Sequence, residues 1–149
     1  MRALVTGAAG FLGRHVVSAL LGRGVEVRAL VRPATRVETL GWPSSVEVVR
    51  ADLRSEKDLD RAFDGVEVLV HLAAAVSGGE DAQFAATVVG TERLLEAMAR
   101  TRCTRVVLAS SFAVYDWSAI EGTLDEDSPT EPVPDLYERD GYSIAKSWQ

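Results

Sequence analysis

Short apolar runs alternate along this chain with longer stretches in which apolar residues recur at helical spacing. Five of the runs are rich in valine and leucine, and none shows the strict alternation of a sheet with one wet face. Continuous apolar runs of this length are typical of strands buried on both faces of a parallel sheet. The pattern therefore predicts five parallel strands, at residues 2–6, 25–31, 46–51, 66–73 and 104–110.

The intervening stretches predict helices at residues 11–24, 55–63 and 81–100, the second of them capped by Ser55. We expect the order β-α-β-α-β-α-β-α-β, and right-handed crossovers turn such a series into a doubly wound parallel sheet of at least five strands. Ligands of these sheets bind beyond the carboxyl ends of the strands, where the strand order reverses. The irregular stretch 112–140 contains Pro129, Pro132 and Pro134, and we expect a functional or mobile loop there.

Composition limits the classes of function. A chain of 149 residues, 47% apolar, predicts one domain over 1–149, and a net charge of −6 disfavours nucleic acid and anionic membranes as partners. One cysteine, Cys103, leaves no intramolecular disulfide, and the absence of a signal-peptide pattern and of a membrane-length apolar run favours the cytosol. The isolated His15 and His71 predict packing or solvation rather than a metal site. We therefore expect a protein that acts on small molecules.

The first predicted strand runs into "TGAAGFLG", residues 6–13. Gly7, Gly10 and Gly13 stand at the turn into a helix, where a phosphate can approach the backbone without meeting a Cβ. Glycines also simply end strands, and the spacing alone does not decide between the two interpretations. The preceding strand and the following apolar helix favour a dinucleotide site.

This glycine spacing after Thr6 resembles that of the short-chain dehydrogenase/reductase superfamily. The extended branch, the NAD-dependent epimerase/dehydratase family, is the most similar, because further segments match its motifs in the expected order. These segments are "ADL" (51–53), "VHLAAAV" (70–76), "VVGTERLLEAM" (88–98), "LASSFAVY" (108–115) and "YSIAK" (142–146).

The resemblance implies a Rossmann domain with a Ser/Tyr/Lys catalytic set, in which the serine binds the substrate oxygen and the lysine also holds the nicotinamide ribose. The catalytic residues would be Ser111, Tyr142 and Lys146. The cofactor-binding residues would be Thr6, Gly7, Gly10, Phe11, Leu12, Gly13, Arg32, Asp52, Leu53, Ala73, Ala74 and Lys146, with Asp52 accepting the adenine amino group.

The chemistry of the Tyr/Lys pair agrees with this implication. Tyr142 and Lys146 are one turn apart on a helix that would begin at Asp140 or Gly141, so they share a face. An ammonium beside a phenol lowers the pKa of the phenol and makes it a usable acid-base group. The alternative is a packing tyrosine and a solvated lysine. Ser110 is the alternative to Ser111, although the following "FAVY" favours Ser111.

Two positions depart from the family pattern. Thr87 stands where the family usually has an asparagine that organises a water relay behind the lysine, so proton exchange with solvent is expected to differ. Asp116 replaces the glycine that commonly follows the Val-Tyr pair, and we expect a local effect on that turn.

The end of the second strand bears on cofactor choice. An NAD site places a carboxylate there for the ribose 2′-hydroxyl, but this chain has Val31 and then Arg32. Arg32, with Arg36 as a second candidate, can pair with a 2′-phosphate. The sequence therefore predicts NADP, with NAD as the alternative cofactor and a solvated Arg32 as the alternative interpretation.

The expected function is that of an NADP-dependent oxidoreductase of the reductase or nucleotide-sugar epimerase/dehydratase type, compatible with a homodimer. The small-molecule substrate would be a carbonyl, an alcohol or a nucleotide sugar. A non-catalytic NADP sensor and an interaction scaffold are the alternatives. Because family members continue into further strands and a C-terminal substrate lobe, we expect residues 1–149 to be the incomplete first part of an enzyme, with an exposed fifth strand and no turnover alone.

Overall fold

The five predicted strands form one parallel sheet. The structure is a computed structural model that describes residues 1–55, 59–130 and 140–149. The strand order is β3-β2-β1-β4-β5, so the order reverses between β1 and β4. Each strand lies within its predicted run: β1 is Arg2–Thr6, β2 Glu26–Val31, β3 Glu47–Arg50, β4 Val68–His71 and β5 Arg105–Leu108.

The helices agree with the prediction in part. Their bounds are α1 Phe11–Leu21, α2 Leu59–Ala62, α3 Glu80–Phe84, α4 Gly90–Ala99 and α5 Gly141–Trp148. α1 is shorter than expected, because the chain turns after Leu21 and Gly24 has a φ of +72°, a conformation that favours glycine. The expected start of α2 falls partly at residues 56–58, and Pro132 and Pro134 fall at 131–139, outside the described residues.

One local prediction was wrong, and a second was confirmed only in part. The segment between β2 and β3 forms only a 3-10 turn, Val37–Leu40, instead of a helix. Pro33 and Pro43 flank this segment and Gly41 ends the turn at a φ of +64°, which leaves too few residues for a longer helix. The segment predicted as one long helix over 81–100 is helical up to Ala99, but its middle, Ala85–Val89, is a π-helical segment.

The described residues form two compact units. The first, here called the sheet unit, comprises residues 1–73 and 90–109, and it contains the whole sheet together with α1, α2 and α4. The second, called the helical unit, comprises residues 74–89 and 110–149, and its described part contains α3, the π-helical segment, a 3-10 turn at Phe112–Val114 and α5.

The sheet unit has one apolar cluster on each face of its sheet. Leu4 and Leu69 contribute to a cluster that includes α2 and α4, whereas the neighbouring Val5 and Val70 contribute to a cluster that includes Val17 of α1. Successive residues of a strand point to opposite faces, so a continuous apolar run supplies both clusters at once. This arrangement confirms the doubly wound parallel sheet.

In the helical unit, α5 packs against α3, the π-helical segment and the 3-10 turn. The approach to α3 is close, since a Cβ at Gly141 would lie 2.5 Å from Oε1 of Gln83 and 2.8 Å from Cγ of Glu80. The glycine at the first position of α5 therefore allows this helix to pack where it does.

β5 lies at the edge of the sheet, where it pairs with β4 among the described residues. Its residues Val106, Val107 and Leu108 are exposed, as expected from the sequence. No helix within the described ranges is long and apolar enough to cross a membrane.

A core substitution tests this packing. Leu69→Ala should lower the free energy of unfolding by about 2–5 kcal/mol, because Leu69 is fully buried and its loss leaves a cavity. Leu95→Ala, at an exposed position of α4, should change it by less than about 1 kcal/mol. Urea denaturation followed by circular dichroism measures both, and equal effects would show that Leu69 is not in the core.

Candidate functional site

The turn after β1 has the geometry of a phosphate-binding loop. Gly7 has a φ of +65°, and its carbonyl accepts a hydrogen bond of 2.9 Å from the amide of Gly10. Gly10 is the N-cap of α1 in an extended conformation and provides no side-chain cap. Since the first amides of a helix lack partners within the helix, this helix start presents donors and the positive end of its dipole.

The three glycines of this turn serve different purposes. A Cβ at Gly7 would lie 2.8 Å from the amide nitrogen of Ala73, and one at Gly13 would clash with the carbonyl oxygen of Gly7. Both glycines are therefore needed by the fold itself. A Cβ at Gly10 would have one neighbour within 4 Å, the Gly7 oxygen at 3.1 Å, so it would project mainly into open space. Gly10 is the position at which a bound phosphate could use that space.

A buried polar network joins the ends of β1 and β4 beside this turn. The Thr6 hydroxyl lies 2.5 Å from Nδ1 of His71, and Nε2 of His71 lies 2.8 Å from the Thr91 hydroxyl. The Thr6 oxygen also accepts bonds of 3.3 Å from the amides of Leu72 and Ala73. Because the Thr6 oxygen already accepts these two bonds, its proton is directed at Nδ1, and Nε2 then carries the ring proton and donates to Thr91.

The sequence missed this network. His71 was predicted to serve packing or solvation, and it is fully enclosed, but as a polar link between two strands and α4. Its position directly before the small residues of "LAAA" was the available signal. His15, in contrast, is exposed on α1. Its ring and that of Phe11 form a T-shaped pair with centroids 5.2 Å apart.

Other predicted cofactor residues also lie in the sheet unit. Phe11 and Leu12 are exposed at the start of α1, next to the glycine turn. Leu53 is partly buried and packs against the apolar cluster that contains α2 and α4, while Ala73 is half-buried and bonded to Thr6. The predicted residue Ala74 is half-buried and belongs to the helical unit.

Arg32 and Asp52 follow the neighbouring strands β2 and β3. The amide of Ala51 donates a bond of 3.0 Å to the carbonyl of Val31, so both residues leave the same edge of the sheet. Arg32 is exposed. The Asp52 carboxylate accepts hydrogen bonds from Arg54, and these bonds lower the pKa of Asp52, with a smaller contribution from the charge of Arg32.

The helical unit contains the predicted acid-base pair. Asp140 caps α5 by accepting bonds of 2.9 Å and 3.0 Å from the amides of Tyr142 and Ser143, which confirms the predicted helix start. Tyr142 is half-buried, whereas Lys146 is only 6% exposed and its Nζ donates to Oε1 of Gln149. Burial lowers the pKa of Lys146, because it disfavours the ammonium form.

Ser111 caps the 3-10 turn Phe112–Val114, and its Oγ accepts a bond of 3.2 Å from the amide of Ala113. This turn packs against α5, the helix that carries Tyr142 and Lys146. Ser110 is exposed and precedes the turn. The three predicted catalytic residues therefore lie on two elements of the helical unit that contact each other.

The two departures from the family pattern have defined surroundings. Thr87 is fully buried at the centre of the π-helical segment, and its hydroxyl accepts a bond of 3.0 Å from the amide of Ala75. π-Helical segments often occur at functional sites. The Asp116 carboxylate accepts bonds of 3.0 Å and 2.6 Å from the amide and hydroxyl of Ser118, so it stabilises the turn in which it lies.

A parallel sheet with a glycine turn at its point of strand reversal defines the class of Rossmann-type dinucleotide-binding domains. Comparison with known proteins gives the family within this class. The chain belongs to the NAD dependent epimerase/dehydratase family, whose pattern matches residues 3–148.

Three similar proteins illustrate the family. Sterol demethylase protein B of Methylococcus capsulatus is 41% identical over 145 residues, which are 93% of this chain and 43% of that protein. The 4-hydroxy-2-methyl-3-oxo-4-farnesyl-3,4-dihydroquinoline-1-oxide ketoreductase of Stigmatella aurantiaca is 41% identical over 139 residues, covering 90% and 40%. The crystal structure of Thermus thermophilus UDP-glucose 4-epimerase with NAD superimposes with a TM-score of 0.79 at 32% identity, covering 99% and 48%. The chain spans less than half the length of these relatives.

A substitution in the glycine turn tests the phosphate-binding interpretation. Gly10→Val should abolish binding of NADPH, because the side chain would occupy the open space at the turn, while the fold persists. Gly79→Val is the matched control, since a Cβ at Gly79 has no neighbour within 4 Å and its φ is −69°. Fluorescence titration measures binding and circular dichroism the fold. Normal NADPH binding by a folded Gly10→Val variant would place the nucleotide elsewhere.

Proposed function

We propose that this chain belongs to an NADP-dependent oxidoreductase that transfers hydride between nicotinamide and a carbonyl or alcohol substrate. The observation that carries the proposal is the glycine turn at the strand reversal, with Arg32 and no carboxylate at the end of β2. The sheet unit would bind the nucleotide and the helical unit would supply the acid-base groups.

The residues of the sheet unit fit a nicotinamide dinucleotide. The open space at Gly10 and the uncapped start of α1 suit a pyrophosphate, and the small residue Ala73 suits close approach of a ligand to the backbone. The basic Arg32 suits a 2′-phosphate, since a guanidinium pairs with phosphate oxygens through two parallel hydrogen bonds. When bound, the cofactor supplies or accepts the hydride.

The acid-base step is assigned to Tyr142, which would give a proton to the substrate oxygen or take one from it. Lys146 is on the same face of α5 one turn later, and its ammonium would stabilise the negative charge that develops on the phenol oxygen during proton transfer. Because Lys146 is buried, its ammonium form acts more strongly on a neighbouring group than it would in water. The Ser111 hydroxyl would donate a hydrogen bond to the substrate oxygen where charge develops.

An apolar ring substrate is favoured over a nucleotide sugar. Phe112 directly follows Ser111. Its ring forms a T-shaped pair with that of Trp117, with centroids 6.0 Å apart, and the two residues are 68% and 54% exposed. An exposed aromatic pair beside the proposed serine suits an apolar molecule. The names of the two relatives at 41% identity refer to a sterol demethylase and to a ketoreductase of a farnesylated quinoline oxide, which supports the same class.

Nucleotide sugars are the second candidate substrates, because the Thermus enzyme is a UDP-glucose 4-epimerase. A non-catalytic NADP sensor is the alternative function, and Thr87 at the relay position is the observation that favours it.

A homodimer and a cytosolic location remain parts of the proposal, and the buried free thiol of Cys103 suits a reducing compartment.

Cofactor preference tests the role of Arg32. NADPH should bind more tightly than NADH, and Arg32→Ala should reduce the difference by about 1.5–3 kcal/mol, the value of a hydrogen bond to a charged group. Arg102→Ala, which removes an exposed arginine outside the proposed site, should leave the preference unchanged. Titration of the full-length protein with both nucleotides measures it. Equal affinities in the unaltered protein would contradict the choice of NADP.

Removal of one phenol oxygen tests the acid-base assignment. Tyr142→Phe should lower turnover by about 10²–10⁴-fold and leave the affinity for NADPH nearly unchanged, because the variant keeps the nucleotide-binding residues. Tyr115→Phe makes the same chemical change elsewhere in the helical unit and should have a small effect. NADPH oxidation by the full-length protein with ring ketones and UDP-glucose is the assay. Near-normal turnover by Tyr142→Phe would assign the proton to another group.

A further inference from the structure

The sheet edge that contains Arg32 and Asp52 also carries two arginines that the proposed function does not use. β2 and β3 are in register with Val31 opposite Arg50, so the residues after these strands leave the sheet side by side. Arg50 is the last residue of β3, and Arg54 lies two residues beyond Asp52. Asp52 therefore lies between Arg50 and Arg54 in the sequence, and the charges of Arg54 and Arg32 act on its carboxylate.

Arg50 is bonded to the backbone next to Arg32, whereas the Arg32 side chain is not bonded within the described part of the chain. Nη1 of Arg50 donates bonds of 2.9 Å and 2.8 Å to the carbonyls of Pro33 and Thr35, so it holds the backbone that follows Arg32. The Arg32 side chain itself makes no hydrogen bond or ion pair with residues in the described ranges 1–55, 59–130 and 140–149. The charge of Arg32 is therefore available to a ligand.

Arg54 holds Asp52 through both carboxylate oxygens. Its Nη2 lies 2.7 Å from Oδ2 and its Nε lies 3.0 Å from Oδ1 and 3.2 Å from Oδ2. The backbone amide of Arg54 adds a bond of 3.0 Å to Oδ1. These contacts lower the pKa of Asp52 and keep it ionised, so the pair as a whole is neutral. The backbone of Arg54 is held in turn, since its carbonyl accepts a bond from Arg93 of α4.

The neutrality of the Asp52–Arg54 pair affects which nucleotide binds at the ends of β2 and β3. A free carboxylate at this edge would repel a 2′-phosphate and compete with it for Arg32. In NAD-preferring sites the carboxylate that binds the ribose 2′-hydroxyl follows β2, and this chain has Arg32 at that position. With Asp52 neutralised by Arg54, the positive charge of Arg32 is uncompensated.

We propose that Arg54 is a specificity-determining residue that neutralises Asp52 and thereby leaves Arg32 to select the 2′-phosphate of NADP. The inference rests on the proposed preference for NADP. It assigns cofactor choice to an arginine at the end of β3, in addition to the residue at the end of β2. The competing interpretation is an exposed ion pair with no effect on a ligand, since such pairs contribute little to stability.

The test measures the dissociation constants of NADPH and NADH for the full-length protein at low and moderate salt. Titrations with 2′,5′-ADP and 5′-ADP repeat the comparison without nicotinamide. Arg54→Ala should reduce the NADPH preference roughly three- to tenfold, because Asp52 becomes an unpaired charge, and the reduction should be larger at low salt. Arg54→Lys should retain most of the preference, since it keeps the charge.

Two further variants separate charge from structure. Asp52→Asn combined with Arg54→Ala should restore the preference, because the opposing carboxylate is gone. Asp52→Asn alone should maintain or raise it, and this variant does not depend on folding without Arg54. Arg23→Ala is the matched control, since Arg23 follows α1 at the end opposite the glycine turn and its Nη1 donates a bond of 3.2 Å to the carbonyl of Ala19.

The outcomes distinguish this inference from the proposed function. If the unaltered protein prefers NADH, the choice of NADP is wrong, yet Arg54→Ala must still move the ratio toward NADH. Three results would each overturn the role of Arg54. The ratio of the NADH and NADPH dissociation constants could be unchanged in Arg54→Ala, or the double variant could fail to restore it. The NADPH preference could also fall in Asp52→Asn.

Discussion

The close approach of two backbone segments at the strand reversal is the constraint on which the rest of the structure depends. Gly7 lies against the backbone of Leu72 and Ala73 with no space for a side chain. The Thr6 hydroxyl bonds the same segment and, through His71, links it to α4. These contacts fix the ends of the two central strands, so the start of α1 and its open side at Gly10 have a defined position. The proposed dinucleotide site at this location depends on backbone geometry more than on any reactive side chain.

Most of the fold could be predicted because it depends on local patterns. Apolar runs identified the five strands found in the described residues, and the Asp140 cap marked the start of α5. The π-helical segment at Ala85–Val89 could not be predicted, since its composition suits an ordinary helix. For the site, glycine spacing indicated the turn, but it could not show that Gly7 and Gly13 serve the fold while Gly10 faces open space. The pairing of Asp52 with Arg54 depends on rotamers, which sequence patterns do not reveal.

The two units divide the proposed chemistry in a physically reasonable way. Binding a charged nucleotide requires backbone donors and fixed positive charge, and the sheet unit provides these at the ends of β1, β2 and β3. The proposed proton transfer requires an acid-base group next to a stabilising charge, and α5 of the helical unit carries Tyr142 and the buried Lys146 one turn apart. The exposed rings of Phe112 and Trp117 belong to the same unit, so the groups proposed for acid-base chemistry and for substrate preference both lie in the helical unit.

The most direct measurement of the central claim is a titration of the ¹⁵N-labelled protein with NADPH, followed through its backbone amide resonances. If the turn between β1 and α1 binds the pyrophosphate, the largest shifts will occur at residues 7–13 and at Ala73, with further shifts near Arg32 and Asp52. Binding that leaves residues 7–13 unchanged and perturbs amides elsewhere would contradict the account, whatever the affinity.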